Sequence, residues 1–303
     1  MIVSCKDRKF DLTISAPPSK SVYHRELIVR FLCGDKENIS ENPLDNDDIC
    51  ATKACLRALA CAEDKGEVIL PCNESGSTLR FMIPICLTLG CKVTLTGTEK
   101  LLSRPLSVYE DICKNQGLLF EKKANELIVS GVLKTGEYNI PGDISSQFIT
   151  GLLFALSLLN ADSIIKLIPP VESRSYINMT LQVLHDFGIE ADWKDELTLL
   201  IKGNQKYKQG NYEVEGDYSN AAFLDVFNYI GGNVNTTGLL ENSLQGDKVY
   251  REHFEALEGK DAIIDITDCP DLGPVLFALA AIIAGGFSLG NGKSVSAHER
   301  QSK

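Results

Sequence analysis

Five segments of the chain place hydroxyl, cationic or amide side chains directly before an apolar helical pattern. They begin at Ser19, Glu74, Ser103, Gly142 and Ser173. A helix N-terminus presents free backbone N–H groups and a partial positive charge, so it binds phosphate or carboxylate groups readily. Each segment taken alone is equally typical of an ordinary helix cap, because Ser is a favoured N-cap residue. The segments therefore carry the groups that an anion site needs.

The first and third helix starts carry cationic side chains, and the second carries a glycine. Lys20 and Ser21 open one helical pattern, and Arg25 follows about one turn later. Gly76 stands between hydroxyl residues, where the lack of a side chain lets the backbone approach a ligand closely. Arg104 precedes a proline at the first helical position, where it can meet an anion. A solvated Lys or Arg is the alternative at each place.

The fourth start is neutral. Ser145, Ser146 and Gln147 lead straight into the apolar run 148–159. Hydroxyl and amide groups suit hydrogen bonding to a polyhydroxyl ligand, and a simple N-cap is the alternative. The fifth start, from Ser173 to Tyr176, has the same ambiguity.

Carboxylates gather near the end of the chain, where Asp265, Asp268 and Asp271 fall within seven residues. Another acidic start, Gly216-Asp217, also precedes an apolar helix, and an N-cap is the usual role of such an Asp. The spacing of the three carboxylates matches no metal-binding loop, so a general base is the better functional interpretation. The four histidines show no ligand spacing. We therefore expect neither a metal nor a cofactor.

The net charge and the cysteine content indicate which partners and which cellular compartment to expect. The 303 residues carry 30 Lys and Arg against 41 Asp and Glu, a net charge of −11, which argues against nucleic acid or an anionic membrane as a partner. The ten cysteines include no C-x-x-C pair and suit a reducing compartment. The longest apolar run, 275–287, is too short to cross a bilayer. The expected protein is cytoplasmic and soluble.

Strand-like and helical segments alternate along the chain, which indicates an α/β or α+β architecture. Most of the helical patterns end at a glycine, the usual left-handed C-cap residue. The predicted helices are 21–33, 77–89, 105–116, 148–159, 176–187, 219–230 and 271–284. The predicted strands are 11–17, 67–72, 92–96, 118–122, 126–130, 164–168, 197–201, 211–215 and 262–266. Two polar segments, 38–48 and 203–210, are predicted to be surface loops.

The order of the motifs is more specific than any single one. From about residue 12 to about residue 292 the series resembles the 5-enolpyruvylshikimate-3-phosphate synthase family. The motifs that carry this resemblance are Ser19-Lys20-Ser21 with His24-Arg25, Ser75-Gly76-Ser77 with Arg80, Arg104-Pro105, Ser145-Ser146-Gln147-Phe148, Ser173 with Tyr176, Gly216-Asp217 and Pro270-Asp271.

The resemblance implies a two-lobe enolpyruvyl transferase fold built from βαβαββ units, with helix N-termini facing a cleft. One lobe of three such units would span 21–215, and the other would combine 1–20 with 216–303. Members of the family continue beyond the helix 271–284 through further units. The resemblance thus implies that the second lobe is incomplete here and that the 303-residue chain has little activity.

The family transfers the enolpyruvyl group of phosphoenolpyruvate to the 5-hydroxyl of shikimate 3-phosphate and releases phosphate, without a metal. By resemblance, Lys20 and Asp271 are catalytic, and Asp271 takes the hydroxyl proton. The substrate contacts implied by the resemblance are Lys20, Ser21, Arg25, Gly76, Arg104, Ser145, Ser146, Gln147, Ser173 and Tyr176. The expected partners are these two small substrates alone, bound by a monomer.

Two alternatives remain open at this point. The chain could bind shikimate 3-phosphate without reacting, or it could transfer enolpyruvate to a UDP-sugar. The Lys20-Ser21 pair and the Ser145-Ser146-Gln147 cluster fit the shikimate enzyme better, and no loop with a reactive cysteine stands out.

Overall fold

The computed structural model describes residues 11–36, 39–62, 67–210, 214–259 and 262–285. The chain divides into two compact units. The larger is Lys20–Glu213, and the smaller joins Met1–Ser19 to Val214–Lys303. The boundaries expected from the resemblance, 21–215 and 1–20 with 216–303, differ from these by one or two residues.

The helices and strands alternate along both units. Within the described residues the strands are β1 (Asp11–Ser15), β2 (Glu67–Asn73), β3 (Lys92–Gly97), β4 (Leu119–Lys122), β5 (Glu126–Ser130), β6 (Glu137–Pro141), β7 (Ser163–Ile168), β8 (Ala191–Asp195), β9 (Thr198–Ile201) and β10 (Asn233–Thr237). The α-helices there are α1 (Lys20–Leu32), α2 (Asp47–Ala60), α3 (Gly76–Cys86), α4 (Glu99–Leu102), α5 (Ser107–Gln116), α6 (Ser146–Leu156), α7 (Arg174–Asp186), α8 (Tyr218–Asp225), α9 (Tyr250–Leu257) and α10 (Gly273–Gly285).

The larger unit contains the same four-stranded sheet twice. One sheet has the order β2-β3-β5-β4 and the other β6-β7-β9-β8. In each sheet the first pair is parallel and the other two pairs are antiparallel. A parallel pair needs a crossover, and α3 and α6 supply it at corresponding places. Two βαβαββ units therefore follow each other along the chain, and their first helices begin after equivalent strands.

Alternating burial explains why each sheet packs on one face only. Along β2, residues 68, 70 and 72 are buried while Glu67 and Ile69 face outward, which is the period-two pattern of a half-buried strand. The inward residues join the core that α3 and α6 fill. These helices pack closely where Gly151 faces α3, because a Cβ there would lie 2.7 Å from the carbonyl oxygen of Arg80. The crossing fixes the two helix starts side by side.

Within the described residues, the smaller unit has a two-stranded sheet. Its strands β1 and β10 pair in parallel from Asp11 with Asn233 to Ser15 with Thr237. A separate core of aromatic and aliphatic side chains joins α8, α9 and α10, with Tyr250 and Phe254 at its centre. Short 3-10 helices precede α9 and α10, at Gly246–Val249 and Pro270–Leu272. These two turns carry the carboxylates described below.

The structure corrects several sequence-based expectations. Residues 262–266 do not form a strand, and Ile263 is 97% exposed. The predicted loop 38–48 is not wholly a surface loop: Asp45 is buried against Lys53, and α2 begins at Asp47. The resemblance implies three βαβαββ units in the larger unit. The described residues show two, and residues 20–62 contribute α1 and α2 instead. The predicted strand 211–215 falls mostly outside the described residues.

Among the helices of the described ranges, none is both long enough and apolar enough to cross a membrane.

Candidate functional site

Lys20, the first residue of α1, is paired with a carboxylate. Its Nζ donates to Oδ2 of Asp48 over 2.9 Å, and both side chains remain partly exposed. Asp48 lies in the first turn of α2, which Asn46 caps. Burial acts to raise the pKa of Asp48, but the hydrogen bond and the charge of Lys20 hold it below its ordinary value. The pair therefore presents an ammonium group at the start of α1.

Arg25 is buried and bonded to the protein itself, with 2% of the residue exposed. Its Nε donates to Oγ1 of Thr180 over 2.8 Å, and its Nη2 donates to the carbonyl of Tyr176 over 3.0 Å. Nη1 donates to the carbonyl of Ser21 over 2.5 Å. Arg25 thus ties α1 to α7. The expected contact between its guanidinium and a ligand stays a prediction.

Two guanidinium groups crowd around Gly76, the first residue of α3. A Cβ built on Gly76 would lie 2.6 Å from Nη1 of Arg104 and 3.2 Å from Nη1 of Arg80. Burial first, and then the charge of Arg104, lowers the pKa of Arg80. Two like charges are stabilised by an anion placed between them. This pair, Arg80 with Arg104, is called the guanidinium pair below.

Gln147 joins the starts of α3 and α6. Its Oε1 accepts from Nη1 of Arg80 over 2.8 Å, and its Nε2 donates to Oγ of Ser77 over 2.9 Å. Ser145 is the N-cap of α6, and its hydroxyl accepts from the backbone N–H of Gln147 over 3.3 Å. Ser146 is buried in the first turn. The predicted neutral cluster thus adjoins the guanidinium pair.

Ser173 holds an unusual backbone conformation before α7. Its φ of 55° and ψ of 41° lie in the left-handed region, where a residue with a side chain is strained. Such strain tends to collect at ligand-binding positions. Tyr176 follows within the first turn, half-buried, with its ring centre 6.0 Å from Cζ of Arg25.

Side-chain hydrogen bonds tie five helices of the larger unit together near their amino-terminal ends. Lys20 links α1 to α2, and Gln147 links α6 to α3. Arg25 links α1 to α7 and also reaches Oγ1 of Thr150 in α6 over 3.4 Å. The bonded helix starts form a polar region with several N–H groups and four cations, Lys20, Arg25, Arg80 and Arg104. That arrangement is chemically suited to a small polyanion.

Three residues of this region, Arg80, Thr150 and Thr180, are not predicted from the sequence to belong to the site. Arg80 stands inside one of the motifs but is not among the predicted site residues, although its position four residues after Gly76 puts it on the helix face above that residue. The buried hydroxyls of Thr150 and Thr180, which lie 3.0 Å apart, orient Arg25. No pattern in the sequence marks these threonines.

The smaller unit carries the candidate base. Asp271 is exposed in the 3-10 turn before α10, and Asp217 caps α8 by accepting from the N–H of Asn220. Asp247 is 5% exposed, and its Oδ1 is buried with no hydrogen-bond partner among the described residues. Burial, and then the charges of Asp271, Asp217 and Asp268, raise the pKa of Asp247 to about 7. Within the described ranges no group of acidic, His and Cys residues is arranged to hold a metal.

Comparison with known proteins identifies the relatives of this chain. The model of the EPSP synthase (3-phosphoshikimate 1-carboxyvinyltransferase) family matches residues 6–301. A 3-phosphoshikimate 1-carboxyvinyltransferase of Clostridium kluyveri is 39% identical over 93% of this chain and 74% of its own length. The enzyme of that name from Clostridioides difficile is 38% identical, over 90% of this chain and 72% of its own length.

Solved structures show the same fold. An EPSP synthase from Acinetobacter baumannii superposes with a TM-score of 0.63 at 18% identity, over 83% of this chain. The enolpyruvyl transferase NikO from Streptomyces tendae gives a TM-score of 0.56 at 10% identity, over 82% of this chain. The chain spans about 60% of these two solved chains. The α/β enolpyruvyl transferase fold expected from the motifs is therefore confirmed.

Proposed function

Because the chain belongs to the EPSP synthase family, we propose that it transfers the enolpyruvyl group of phosphoenolpyruvate to the 5-hydroxyl of shikimate 3-phosphate. The observation that carries this proposal is the guanidinium pair beside Gly76, with Gln147 hydrogen-bonded to Arg80. A phosphate or carboxylate placed there receives two charges and approaches a backbone that has no side chain in the way.

The roles proposed for the other residues come from the family resemblance. The residues proposed to bind shikimate 3-phosphate are Lys20, Ser21, Arg25, Ser145, Ser146, Gln147, Ser173 and Tyr176, and Arg25 also holds the starts of α1 and α7 in place. Gly76 and Arg104 are proposed to bind phosphoenolpyruvate, and Arg80 joins them. Each charge-assisted hydrogen bond contributes about 1.5–3 kcal/mol, so a few of them suffice for micromolar binding.

The reaction is an addition followed by an elimination. Asp271 accepts the proton of the 5-hydroxyl as the oxygen bonds to C2 of phosphoenolpyruvate, and C3 takes a proton from a general acid. The tetrahedral intermediate then returns a proton from C3 to the conjugate base of that acid as the C2–O bond to phosphate breaks, which leaves the enol ether. The released phosphate carries away the proton that Asp271 held. Lys20 stabilises the negative charge of both bound substrates. Aligning two bound reactants supplies about 7–11 kcal/mol of the barrier.

Calorimetry and a phosphate-release assay test the proposal. We expect shikimate 3-phosphate to bind, and phosphate to appear only when both substrates are present. Arg104→Gln should weaken phosphoenolpyruvate binding about 10- to 100-fold, the loss of one charge-assisted contact, while changing shikimate 3-phosphate binding much less. Lys114→Gln is the matched control, since it removes one exposed cation from the last turn of α5.

The outcomes separate the candidate functions. Binding of shikimate 3-phosphate without phosphate release would favour a binding protein, and phosphate release with a UDP-sugar acceptor would favour the other transferase class. If Arg104→Gln and Lys114→Gln weakened phosphoenolpyruvate binding equally, the proposal that the guanidinium pair binds phosphoenolpyruvate would be refuted. No binding of either substrate would refute the proposal as a whole.

We further propose that the protein acts as a monomer in the cytoplasm, on small-molecule substrates alone and without a cofactor. The nine cysteines of the described residues are free thiols, which suits a reducing compartment. Light scattering coupled to size-exclusion chromatography tests the oligomeric state, and a stable dimer would contradict it.

A further inference from the structure

Pro84 lies inside helix α3, one turn after Arg80 of the guanidinium pair. Proline has no backbone N–H, so it cannot donate the hydrogen bond that a helical residue gives to the carbonyl four positions before it. In α3 that carbonyl belongs to Arg80. Because backbone carbonyls inside a protein are nearly always paired, the Arg80 carbonyl needs a donor from another element.

Tyr109 of α5 supplies that donor. It is buried, with 1% of the residue exposed, and its hydroxyl donates to the Arg80 carbonyl over 2.8 Å. Gly151 on α6 leaves space for this contact, since a Cβ there would lie 2.5 Å from Oη of Tyr109 and 2.7 Å from the Arg80 carbonyl oxygen. Burial raises the pKa of Tyr109 against the opposing charge of Arg80, so the hydroxyl keeps its proton at neutral pH.

A second carbonyl competes for the Tyr109 hydroxyl. The carbonyl of Phe148, the third residue of α6, lies 3.1 Å from Oη, and a hydroxyl has only one proton to donate. In a regular α-helix the carbonyl of residue 148 already receives the N–H of residue 152, whereas the Arg80 carbonyl faces a proline and lies nearer to the hydroxyl. The Arg80 carbonyl is therefore the principal acceptor.

The ring of Tyr109 supports the other end of Arg80 through Phe148. The Tyr109 and Phe148 rings meet edge to face, with 4.9 Å between their centres. The guanidinium of Arg80 lies over the Phe148 ring, with Cζ 5.2 Å from the ring centre. A cation at that distance is attracted to the ring face. Tyr109 thus supports both the backbone and the side chain of Arg80.

The segment that carries Tyr109 also carries the second guanidinium of the pair. Arg104 stands five residues before Tyr109, in the turn that leads into α5. The carbonyl of Pro105 in this turn accepts from Nη2 of Arg80 over 3.4 Å, and the carbonyl of Leu106 accepts from the N–H of Tyr109 over 3.0 Å. A phenol that fixes α5 against α3 therefore also fixes the distance between the two guanidinium groups.

We propose that Tyr109 is a positioning residue, whose hydroxyl replaces the helix N–H that Pro84 lacks and so holds the guanidinium pair at the spacing at which both groups face Gly76. Tyr109 acts through Arg80 and does not itself contact substrate. The functional part of this inference rests on the proposed binding of phosphoenolpyruvate by the guanidinium pair. The replacement of the helix hydrogen bond does not depend on that binding.

Nuclear magnetic resonance of the unliganded protein tests the helix hydrogen bond. Accepting a hydrogen bond moves a carbonyl-carbon resonance downfield, so the Arg80 carbonyl carbon should move upfield in Tyr109→Phe. Adding Pro84→Ala gives α3 its N–H back, and the resonance should return. The urea midpoint of unfolding should also fall less on Tyr109→Phe when Pro84→Ala is present, because the two donors serve the same carbonyl.

Tyr207→Phe is the matched control. Tyr207 is also buried in the larger unit, and its hydroxyl donates to the carbonyl of Phe154, near the carboxyl-terminal end of α6, over 3.0 Å. The control removes the same kind of hydrogen bond, so it should leave the Arg80 resonance in place, and Pro84→Ala should not reduce its effect on the urea midpoint. An Arg80 resonance unmoved by Tyr109→Phe, or a midpoint loss that Pro84→Ala does not reduce, would overturn the proposal.

Binding of phosphoenolpyruvate, measured with shikimate 3-phosphate present, tests the functional part separately. Tyr109→Phe should weaken it about 3- to 10-fold, with recovery on adding Pro84→Ala and no change in Tyr207→Phe. If the native protein bound no phosphoenolpyruvate, the proposed transfer would fail while the resonance data still decided the helix hydrogen bond. If the Arg80 resonance moved in Tyr109→Phe but binding stayed normal, the positioning of the guanidinium pair would be refuted and the proposed function would stand.

Discussion

Asp247 is expected to destabilise the smaller unit at neutral and alkaline pH, and Asp247→Asn should relieve this. The carboxyl group is buried, the charges of Asp271, Asp217 and Asp268 act on it, and its Oδ1 has no hydrogen-bond partner within the described residues. Ionisation therefore costs more in the folded protein than in the unfolded chain. An amide of the same shape stays neutral at every pH, so it avoids this cost.

The magnitude follows from the pKa of Asp247, which folding raises from 3.8 to about 7. Below pH 3.8 the carboxyl is protonated in both states and contributes no pH dependence. Between pH 3.8 and 7 only the unfolded state ionises, so the free energy of unfolding falls as the pH rises. At 1.36 kcal/mol for each pKa unit, the loss reaches about 4 kcal/mol above pH 7.

Denaturation in urea, followed by circular dichroism at pH 4, 6 and 8, measures this effect. Hydrogen exchange of Tyr250–Leu257 assigns it to the smaller unit. The stability gained by Asp247→Asn should be near zero at pH 4 and reach about 4 kcal/mol at pH 8. Asp265→Asn is the control of opposite sign, because hydrogen bonds from Thr267 lower the pKa of Asp265. Asp265→Asn should not increase the free energy of unfolding at any pH.

Two results would refute the reasoning. One is a gain from Asp247→Asn that is the same at pH 4 as at pH 8, since only an ionisation makes the gain depend on pH. The other is a loss of stability at pH 8, which would mean that the charged form of Asp247 is stabilised in the fold.

Two further predictions concern the core of the larger unit. Asp45→Leu leaves the buried ammonium of Lys53 without its carboxylate partner, which lies 2.6 Å away, so the free energy of unfolding should fall by about 3–5 kcal/mol. Adding Lys53→Met to Asp45→Leu should recover most of the loss. Gly151→Ala places a Cβ 2.5 Å from Oη of Tyr109, which should cost about 1–3 kcal/mol at the crossing of α3 and α6. Fluorescence of the single tryptophan during urea unfolding measures both, and a loss below 0.5 kcal/mol, about the usual size for surface substitutions, would contradict either prediction.

Local sequence signals predict the helix starts and several helix ends well. Gly34, Gly90, Gly117 and Gly188 all adopt a positive φ just after a helix, as their positions in the sequence indicate. These features depend on backbone conformation within a few residues, which a single sequence records directly.

Features that depend on distant partners are less predictable. Residues 262–266 alternate like a strand, but a strand needs a neighbour to pair with, and none is described beside them. The sequence does not predict helix α2, because its inward face carries Thr52 and Lys53, which interrupt the apolar pattern. Their hydrogen-bond partners, His24 and Asp45, come from other parts of the chain.

The candidate site shows the same division. Gly76 and Ser145 are recognisable from the types of their neighbours, whereas the importance of Arg80 depends on Arg104, which follows 24 positions later in another turn.

The two sheets of identical strand order make the larger unit a tandem duplication in architectural terms. Ser75 and Ser145 cap equivalent helices, yet Arg80 in the first copy corresponds in position to Thr150 in the second. One copy therefore supplies charge and the other supplies hydroxyl groups, on backbones that offer the same N–H donors. Because the roles are divided in this way, the side chains of one copy can diverge to bind a new anionic substrate while the other copy keeps the scaffold unchanged.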